Sequence, residues 1–383
     1  MTLIDTTFFA HSEAKNKKLT YSTSIFTADL LDAFCQLGMS DKFCLLVNFN
    51  HLDFFRERFP DYKIIAAKWW PVTLLHKLTK GKKTANRLIK SSGAFRKIAE
   101  KSGADAIWFP YAMNETFVRT KLKTFATIHD IYRIHNGTKK ESEIFRRFIN
   151  DESVSLISIS NYTKNDIVKT TGCTKNIPVI PNSIKFDISS QTKIPELTEK
   201  KYILDLNAYV SKKNPMTLLK AYCMIKDKTD LELVFCGGYK EESIWNEMHQ
   251  YIETNSLSNR VKMLFRVTDE ERNWLLTNAA LFVTPSLFEG FGRTPVEAAI
   301  CRIPVISTKE TSLFEATQGL CSYVENSADE KELASLLLEK INSPDSSEKL
   351  VQISEQLSET YKAENCAEKY VQVFMLTLLY SRP

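Results

Sequence analysis

Short apolar runs, each bounded by polar or turn-forming residues, recur along this chain. They alternate with stretches whose apolar residues return every three or four positions. Runs at 43–47, 104–110, 124–128 and 154–159 predict buried strands in the first half. The run at 124–128 stops at His129-Asp130. The run at 154–159 leads into Ser160-Asn-Tyr-Thr-Lys-Asn-Asp166, which is rich in side chains that cap helix N-termini. Ile177-Pro-Val-Ile-Pro-Asn182 closes the series. The second half repeats the rhythm. Strands are predicted at 202–206, 231–236, 261–265, 280–284, 303–307 and 321–324. Helices are predicted at 216–224, 241–254, 269–278 and from about 294, and most of 330–379 is predicted helical. Such alternation means βαβ units, and therefore parallel sheets covered on both faces. The pattern breaks around 183–200, where no period is sustained. The expected organisation is a first doubly wound domain at 1–185, a linker at 186–200 and a second such domain at 201–383. Ligands of such sheets bind at the C-terminal ends of the strands.

The 383 residues fit two domains. At 43% hydrophobic and 25% charged, the chain has the composition of a globular protein with a real core. Eleven Gly and twelve Pro are too few for a low-complexity or collagen-like chain. No stretch approaches the roughly 18 apolar residues that span a bilayer. Asp5, with no basic residue before the apolar part, makes the N-terminus a poor signal peptide. The eight Cys include no C-x-x-C pair and the six His no helical metal-ligand spacing. The expectation is buried, reduced thiols in a cytoplasmic protein, and no metal site.

Charge adds an asymmetry. Residues 1–185 hold 29 Lys+Arg and 17 Asp+Glu, a net +12, so the remaining 22 basic and 29 acidic residues give −7 and the sum returns +5. Between Lys63 and Lys101 there are eleven basic residues and one acid, Glu100. Lys68, Trp69, Trp70, Lys82 and Lys83 lie in this window, beside the apolar run 72–75. Basic residues interleaved with Trp and Leu suit an anionic membrane surface. A solvated helix face over buried tryptophans is the plainer alternative. Nucleic acid is the rival polyanion, and it would bring a steep salt dependence.

The sharpest chemical feature is Pro285-Ser-Leu-Phe-Glu289-Gly290-Phe291-Gly292-Arg293-Thr294-Pro295-Val-Glu297-Ala298. A strand ends near Thr284, a Gly-flanked loop follows, and a helix opens near Thr294 with Pro295 in its first turn. Amides of Gly292, Arg293 and Thr294 at that helix start, together with the helix dipole, favour a phosphate. Glu289 and Glu297 bracket this site, and carboxylates accept hydrogen bonds from sugar hydroxyls.

This string closely resembles the signature of retaining glycosyltransferases of family 4, whose GT-B fold has two Rossmann-like domains. Further motifs match in the same order. They are Thr127-Ile-His129-Asp130, Ser158-Ile-Ser160-Asn-Tyr-Thr, Val179-Ile-Pro-Asn182, Lys212-Lys213-Asn214-Pro215, Phe235-Cys-Gly-Gly238 and Ile303-Pro-Val-Ile-Ser307. Together they run from about 124 to 325. The resemblance implies a nucleoside-diphosphate sugar, with UDP or GDP as the nucleotide, as donor. It places Lys213 on the diphosphate, with Lys212 beside it, and the amides of Gly292, Arg293 and Thr294 on the phosphates. Glu289, Gly290 and the Phe291–Gly292 backbone would hold the hexose. Glu297 would accept from the ribose, and His129 would hydrogen-bond a sugar hydroxyl near the reacting carbon. It also implies catalysis without a metal or cofactor and retention of anomeric configuration, with or without a covalent intermediate; a front-side mechanism needs no carboxylate nucleophile, and the sequence offers no isolated candidate. The C-terminal helix, 366–383, would cross back to brace the first domain.

The chain departs from the pattern in places. Leu19-Thr-Tyr-Ser22-Thr23-Ser24-Ile25 stands where a Gly-rich loop is common. Asn207 and Ala208 stand for a usual Gly and Arg, and Arg302 for a usual Gly. Ser and Thr hydroxyls are candidate substitutes for the loop's amides, and Lys212 for the Arg.

The reading is a peripheral enzyme at the inner face of the membrane. It would pass a hexose to a glycan acceptor linked to polyprenyl diphosphate, in cell-surface polysaccharide, lipopolysaccharide or O-antigen synthesis, with no nucleic-acid partner. A soluble acceptor, a non-catalytic partner that keeps the fold and another enzyme on this scaffold, such as an epimerase, remain open.

Overall fold

The computed structural model describes residues 1–67, 93–112, 118–185, 187–197 and 201–380. The described chain divides into two units, 1–183 with 362–383, and 184–361. The division falls just before the expected linker. Residues 187–197 form no helix or strand and are fastened to the helix Asp269–Asn278, where Asn273 Nδ2 donates to the carbonyls of Asp187 (2.6 Å) and Ser190 (3.0 Å).

The first unit is built on a parallel sheet. Its strands are β1 (Thr2–Asp5), β2 (Phe43–Asn48), β3 (Lys63–Ala67), β4 (Ala106–Phe109), β5 (Lys123–Ile128) and β6 (Val154–Ser158), in the order β3-β2-β1-β4-β5-β6. The second unit holds β7 (Tyr202–Leu206), β8 (Glu232–Gly237), β9 (Val261–Phe265), β10 (Leu281–Val283), β11 (Val305–Thr308) and β12 (Ser322–Val324), in the order β12-β11-β10-β7-β8-β9. Every described pairing is parallel, because each strand returns through a crossover. These are the two Rossmann-like sheets of the GT-B fold.

Local chemistry sets the elements. Thr138 and Glu141 cap each other at the start of helix Lys139–Ile149, with Glu141 N donating to Thr138 Oγ1 (3.3 Å) and Thr138 N to Glu141 Oε2 (2.9 Å). Ser160 Oγ accepts from Thr163 N (3.0 Å) at the start of Asn161–Thr171. Residues 177–182 do not form the predicted closing strand. They make a single bridge, Ser158 to Val179, because Pro178 and Pro181 have no amide to donate.

In the first unit, helix Ser22–Gln36 and the C-terminal helix Ala363–Tyr380 cover one face of the sheet. Phe34, Trp108, Phe125, Tyr370 and Phe374 meet there in one buried cluster. Trp108 Nε1 donates to Thr127 Oγ1 (2.9 Å), and the Tyr370 hydroxyl lies 3.2 Å from that same oxygen. The eight thiols are unpaired, and burial pushes Cys44 up to about 11 and Cys236 up to about 12. Among the described residues no helix is long and apolar enough to cross a membrane. Lys68, Trp69, Trp70, Lys82 and Lys83 lie outside the described residues.

Candidate functional site

In the second unit, β7 and β10 are neighbours, and the loops leaving their C-terminal ends carry the residues that the motifs single out. The β7 loop ends in a single turn, Ser211–Lys213. Asn214 follows in the left-handed region (φ 57°), and Pro215 opens the helix Pro215–Ile225. Asn214 is a fastener: its Nδ2 donates to the carbonyls of Pro285 (3.2 Å) and Ser327 (2.7 Å). Leu287 N donates to the Lys212 carbonyl at 2.9 Å, so the two loops are stitched by backbone as well. Lys212 itself is partly exposed.

This stitching brings Lys213 Nζ onto Glu289 Oε1 as an ion pair, with side chains 15% and 14% exposed. Glu289 is held on both sides of its peptide. Its N–H donates to Thr311 Oγ1 (3.0 Å), and its carbonyl accepts from Ser312 Oγ (3.0 Å). A charge pair that is mostly but not fully buried can exchange partners: an arriving anion can take Lys213 and release Glu289 to accept from hydroxyls.

Gly290, Phe291 and Gly292 lead into the helix Arg293–Ile300, which starts one residue before the predicted Thr294. Gly292 has φ 96°, and a Cβ there would stand 2.6 Å from Leu313 Cδ2, so the turn needs glycine on two counts. The Phe291 side chain is buried edge-on against Tyr361 (ring centroids 5.3 Å apart). Any contact it makes with a ligand is through its backbone. Arg293 and Thr294 occupy the first turn, whose amides have no carbonyl of their own helix to bond.

Glu297, 2% exposed, lies between two guanidinium groups. Arg293 Nε donates to its Oε1 at 2.7 Å, and Arg272, from helix Asp269–Asn278, donates to its Oε2. The trio carries a net +1 beside a helix N-terminus, which reinforces the attraction for an anion.

His129 belongs to the first unit. Its Nε2 lies 2.9 Å from the Pro110 carbonyl, so that nitrogen carries the proton and Nδ1 is the acceptor. Burial lowers its pKa below the ordinary histidine range against the opposing pull of the Pro110 hydrogen bond and Asp130. Phe26 and Tyr111 flank the ring edge-on, with centroids at 4.9 and 5.8 Å. Asp130 accepts from Tyr132 N (2.9 Å) and shapes the turn after β5. Part of the Leu19–Ile25 stretch is tied to its own unit. Thr20 N (2.7 Å), Tyr21 N (2.9 Å) and Ser24 Oγ (2.8 Å) all bond the buried Glu13 carboxylate.

Three residues of the second unit escape a motif reading: Asn214 in its fastening role, Arg272 and Asp205. Asp205 sits in β7 at 2% exposure and accepts from Asn207 Nδ2 at 2.5 Å. Asn207 Nδ2 also reaches Thr284 Oγ1 (3.2 Å), itself 3.2 Å from the buried Ser286 hydroxyl. Burial raises the Asp205 carboxyl to about 7, and Glu289 adds to the rise. The Asn207 hydrogen bond and the Lys213 charge oppose it.

Residues 187–357 match the family described as Glycosyl transferases group 1. The chain is 29% identical over 225 residues to "Alpha-1,3/1,6-mannosyltransferase ALG2" of Dictyostelium discoideum, covering 54% of this chain and 50% of that protein. It is 24% identical over 242 residues to "O-antigen chain mannosyltransferase B" of Escherichia coli, covering 59% and 61%. The matches thus span about half to three-fifths of these relatives' length. Among solved structures, Anabaena Alr3699/HepE in complex with UDP and glucose superposes with a TM-score of 0.69 over 98% of this chain and 99% of that one. At 15% identity it speaks for the fold.

Proposed function

We propose that this chain is a glycosyltransferase of glycan biosynthesis that moves a hexose from a nucleoside-diphosphate sugar to a glycan acceptor with retention of configuration. The observation that carries the reading is the clasp of Lys213 on Glu289 beside the Gly292–Thr294 helix start. It offers a cation, a helix N-terminus and a releasable carboxylate within one pair of stitched loops. In this reading Lys213, aided by Lys212 and the first-turn amides, takes the diphosphate. Glu289 turns to the hexose hydroxyls, with Gly290 and the Phe291–Gly292 backbone beside it. Glu297, fixed by Arg272 and Arg293, accepts from the ribose. His129, neutral and protonated on Nε2, accepts a sugar hydroxyl on Nδ1. Charge on the leaving nucleoside diphosphate is met by these fixed donors, so the reading requires no metal.

Two of the relatives named above are mannosyltransferases, which favours mannose as the hexose. The O-antigen relative and the basic first half support an acceptor carried on polyprenyl diphosphate at an anionic membrane surface. The test is a donor screen that begins with GDP-mannose and includes UDP-glucose and UDP-N-acetylglucosamine. Release of nucleoside diphosphate is followed with and without lipid-linked acceptors. The expected outcome is release from one donor, reduced at least a hundredfold in Glu289→Gln with the fold intact. Folded protein that turns over none of these donors, in the presence of acceptor, would favour the non-catalytic partner instead.

A further inference from the structure

Besides Glu289 and Glu297 the site has a third carboxyl, which the donor-binding roles leave unused. Asp205 is buried in β7, and its hydrogen-bond donor is an amide, Asn207 Nδ2, rather than a cation. A carboxyl so placed is poorly solvated as an anion. The charges that act on it from the site side are the two clasped groups, Lys213 and Glu289. The other titratable groups facing it are Cys236 on β8 and Tyr209 in the loop after β7. Burial pushes Cys236 up to about 12 and Tyr209 well above the ordinary phenol range, so neither changes charge near neutrality.

The charge count decides the consequence. With Asp205 protonated, Asp205, Glu289 and Lys213 sum to zero. With Asp205 ionised they sum to −1. A diphosphate arriving at Lys213 is an anion, and it is held better beside a neutral group than beside a negative one. It also draws Lys213 toward itself and so weakens the one cationic influence that favours ionised Asp205. We propose that Asp205 is a proton-linked positioning residue of the donor site: binding of the nucleoside-diphosphate sugar is coupled to the uptake of one proton by the Asp205 carboxylate. The inference rests on the reading of Lys213 and Glu289 as the diphosphate site.

The direction of the coupling is fixed. Where free Asp205 is already protonated, below about pH 7, affinity is independent of pH. Above that value binding must bring a proton from solvent, and apparent affinity falls by up to about tenfold per pH unit until the bound form also ionises. A nucleoside-diphosphate sugar suits the measurement, because its diphosphate is esterified at both ends and does not titrate near neutrality.

The experiment is calorimetric titration of the full chain with GDP-mannose and UDP-glucose between about pH 6 and about pH 8.5, in two buffers of different ionisation enthalpy. The expected result is a dissociation constant that is flat below about 7 and rises by up to about thirtyfold by about 8.5, with close to one proton taken up at the alkaline end. Asp205→Asn should hold the low-pH affinity across the range with no proton uptake. The proton count on the native chain stands by itself should the variant fail to fold. Binding without a pH slope, or an Asp205→Asn chain with the native slope, would overturn the inference and leave the donor site intact. Binding of neither sugar at any pH would overturn the donor reading and the coupling together.

Discussion

At the scale of the residue, Gly292 shows how the helix start depends on one position. Its φ of 96° is strained for any side chain, and a Cβ would press on Leu313 at 2.6 Å. Gly292→Ala is therefore expected to destabilise the second unit by about 1–3 kcal/mol. Gly238→Ala, where nothing lies within 4 Å of the new methyl, should stay within about 0.5 kcal/mol of the native chain. Urea unfolding of the two variants checks the contrast, and equal midpoints would argue against the steric account. Glu289, Gly292 and Glu297 were legible in the sequence because one spaced motif names them together, and Lys213 because it stands in a second, Lys212-Lys213-Asn214-Pro215. Asp205 was not. Leu204-Asp205-Leu206 reads as apolar–polar alternation, which in an antiparallel sheet would put the carboxylate in water. A parallel sheet is covered on both faces, so the same alternation buries it. Arg272 hides for the opposite reason. Asp269-Glu-Glu-Arg-Asn reads as a solvated helix face, and its partner, Glu297, lies 25 positions away.

At the scale of the element, the sequence reading located most strands and their helices but passed over β1 and β3. Thr2–Asp5 is four residues long, too short for a period, although it is the strand between β2 and β4. Lys63–Ala67 lies in a window that charge dominates, although its Ile64, Ile65 and Ala66 pair with Leu45, Leu46 and Val47. The C-terminal helix Ala363–Tyr380 shows why a terminal element can belong to the start of a chain. Its Tyr370 and Phe374 pack on Trp108 (4.9 and 5.4 Å between centroids), and Phe374 also packs on Phe125 (4.8 Å). Phe374→Ala removes a buried ring from this cluster and should cost about 3–5 kcal/mol. Tyr370→Phe keeps the ring and loses one hydroxyl contact to Thr127, which still accepts from Trp108, so about 1 kcal/mol is expected. Chemical denaturation that ranks the two variants equally would show that the helix does not brace the sheet through these rings.

At the scale of the whole molecule, charge is the property that the fold alone does not explain. A net +12 over residues 1–185 against −7 over the remainder is not required by either sheet, since such charges are largely solvated. The membrane-facing role proposed above would account for the contrast, because each Lys or Arg near an anionic leaflet contributes on the order of 1 kcal/mol of attraction. The full chain is accordingly expected to sediment with phosphatidylglycerol–phosphatidylcholine vesicles and to leave pure phosphatidylcholine vesicles in solution. Raising salt from about 0.05 M to about 0.5 M should release most of it, as the screening length falls from above 10 Å to only a few Å. The double change Lys82→Ala, Lys83→Ala removes two such charges and should weaken binding about thirtyfold at low salt, with little further loss at high salt. Trp69→Ala with Trp70→Ala should behave differently: the weakening persists at high salt, because burial of indole in the interface does not depend on screening. If both pairs of changes left vesicle binding at the native level, the basic window would be a solvated surface with buried tryptophans. The acceptor would then have to be sought among soluble glycans.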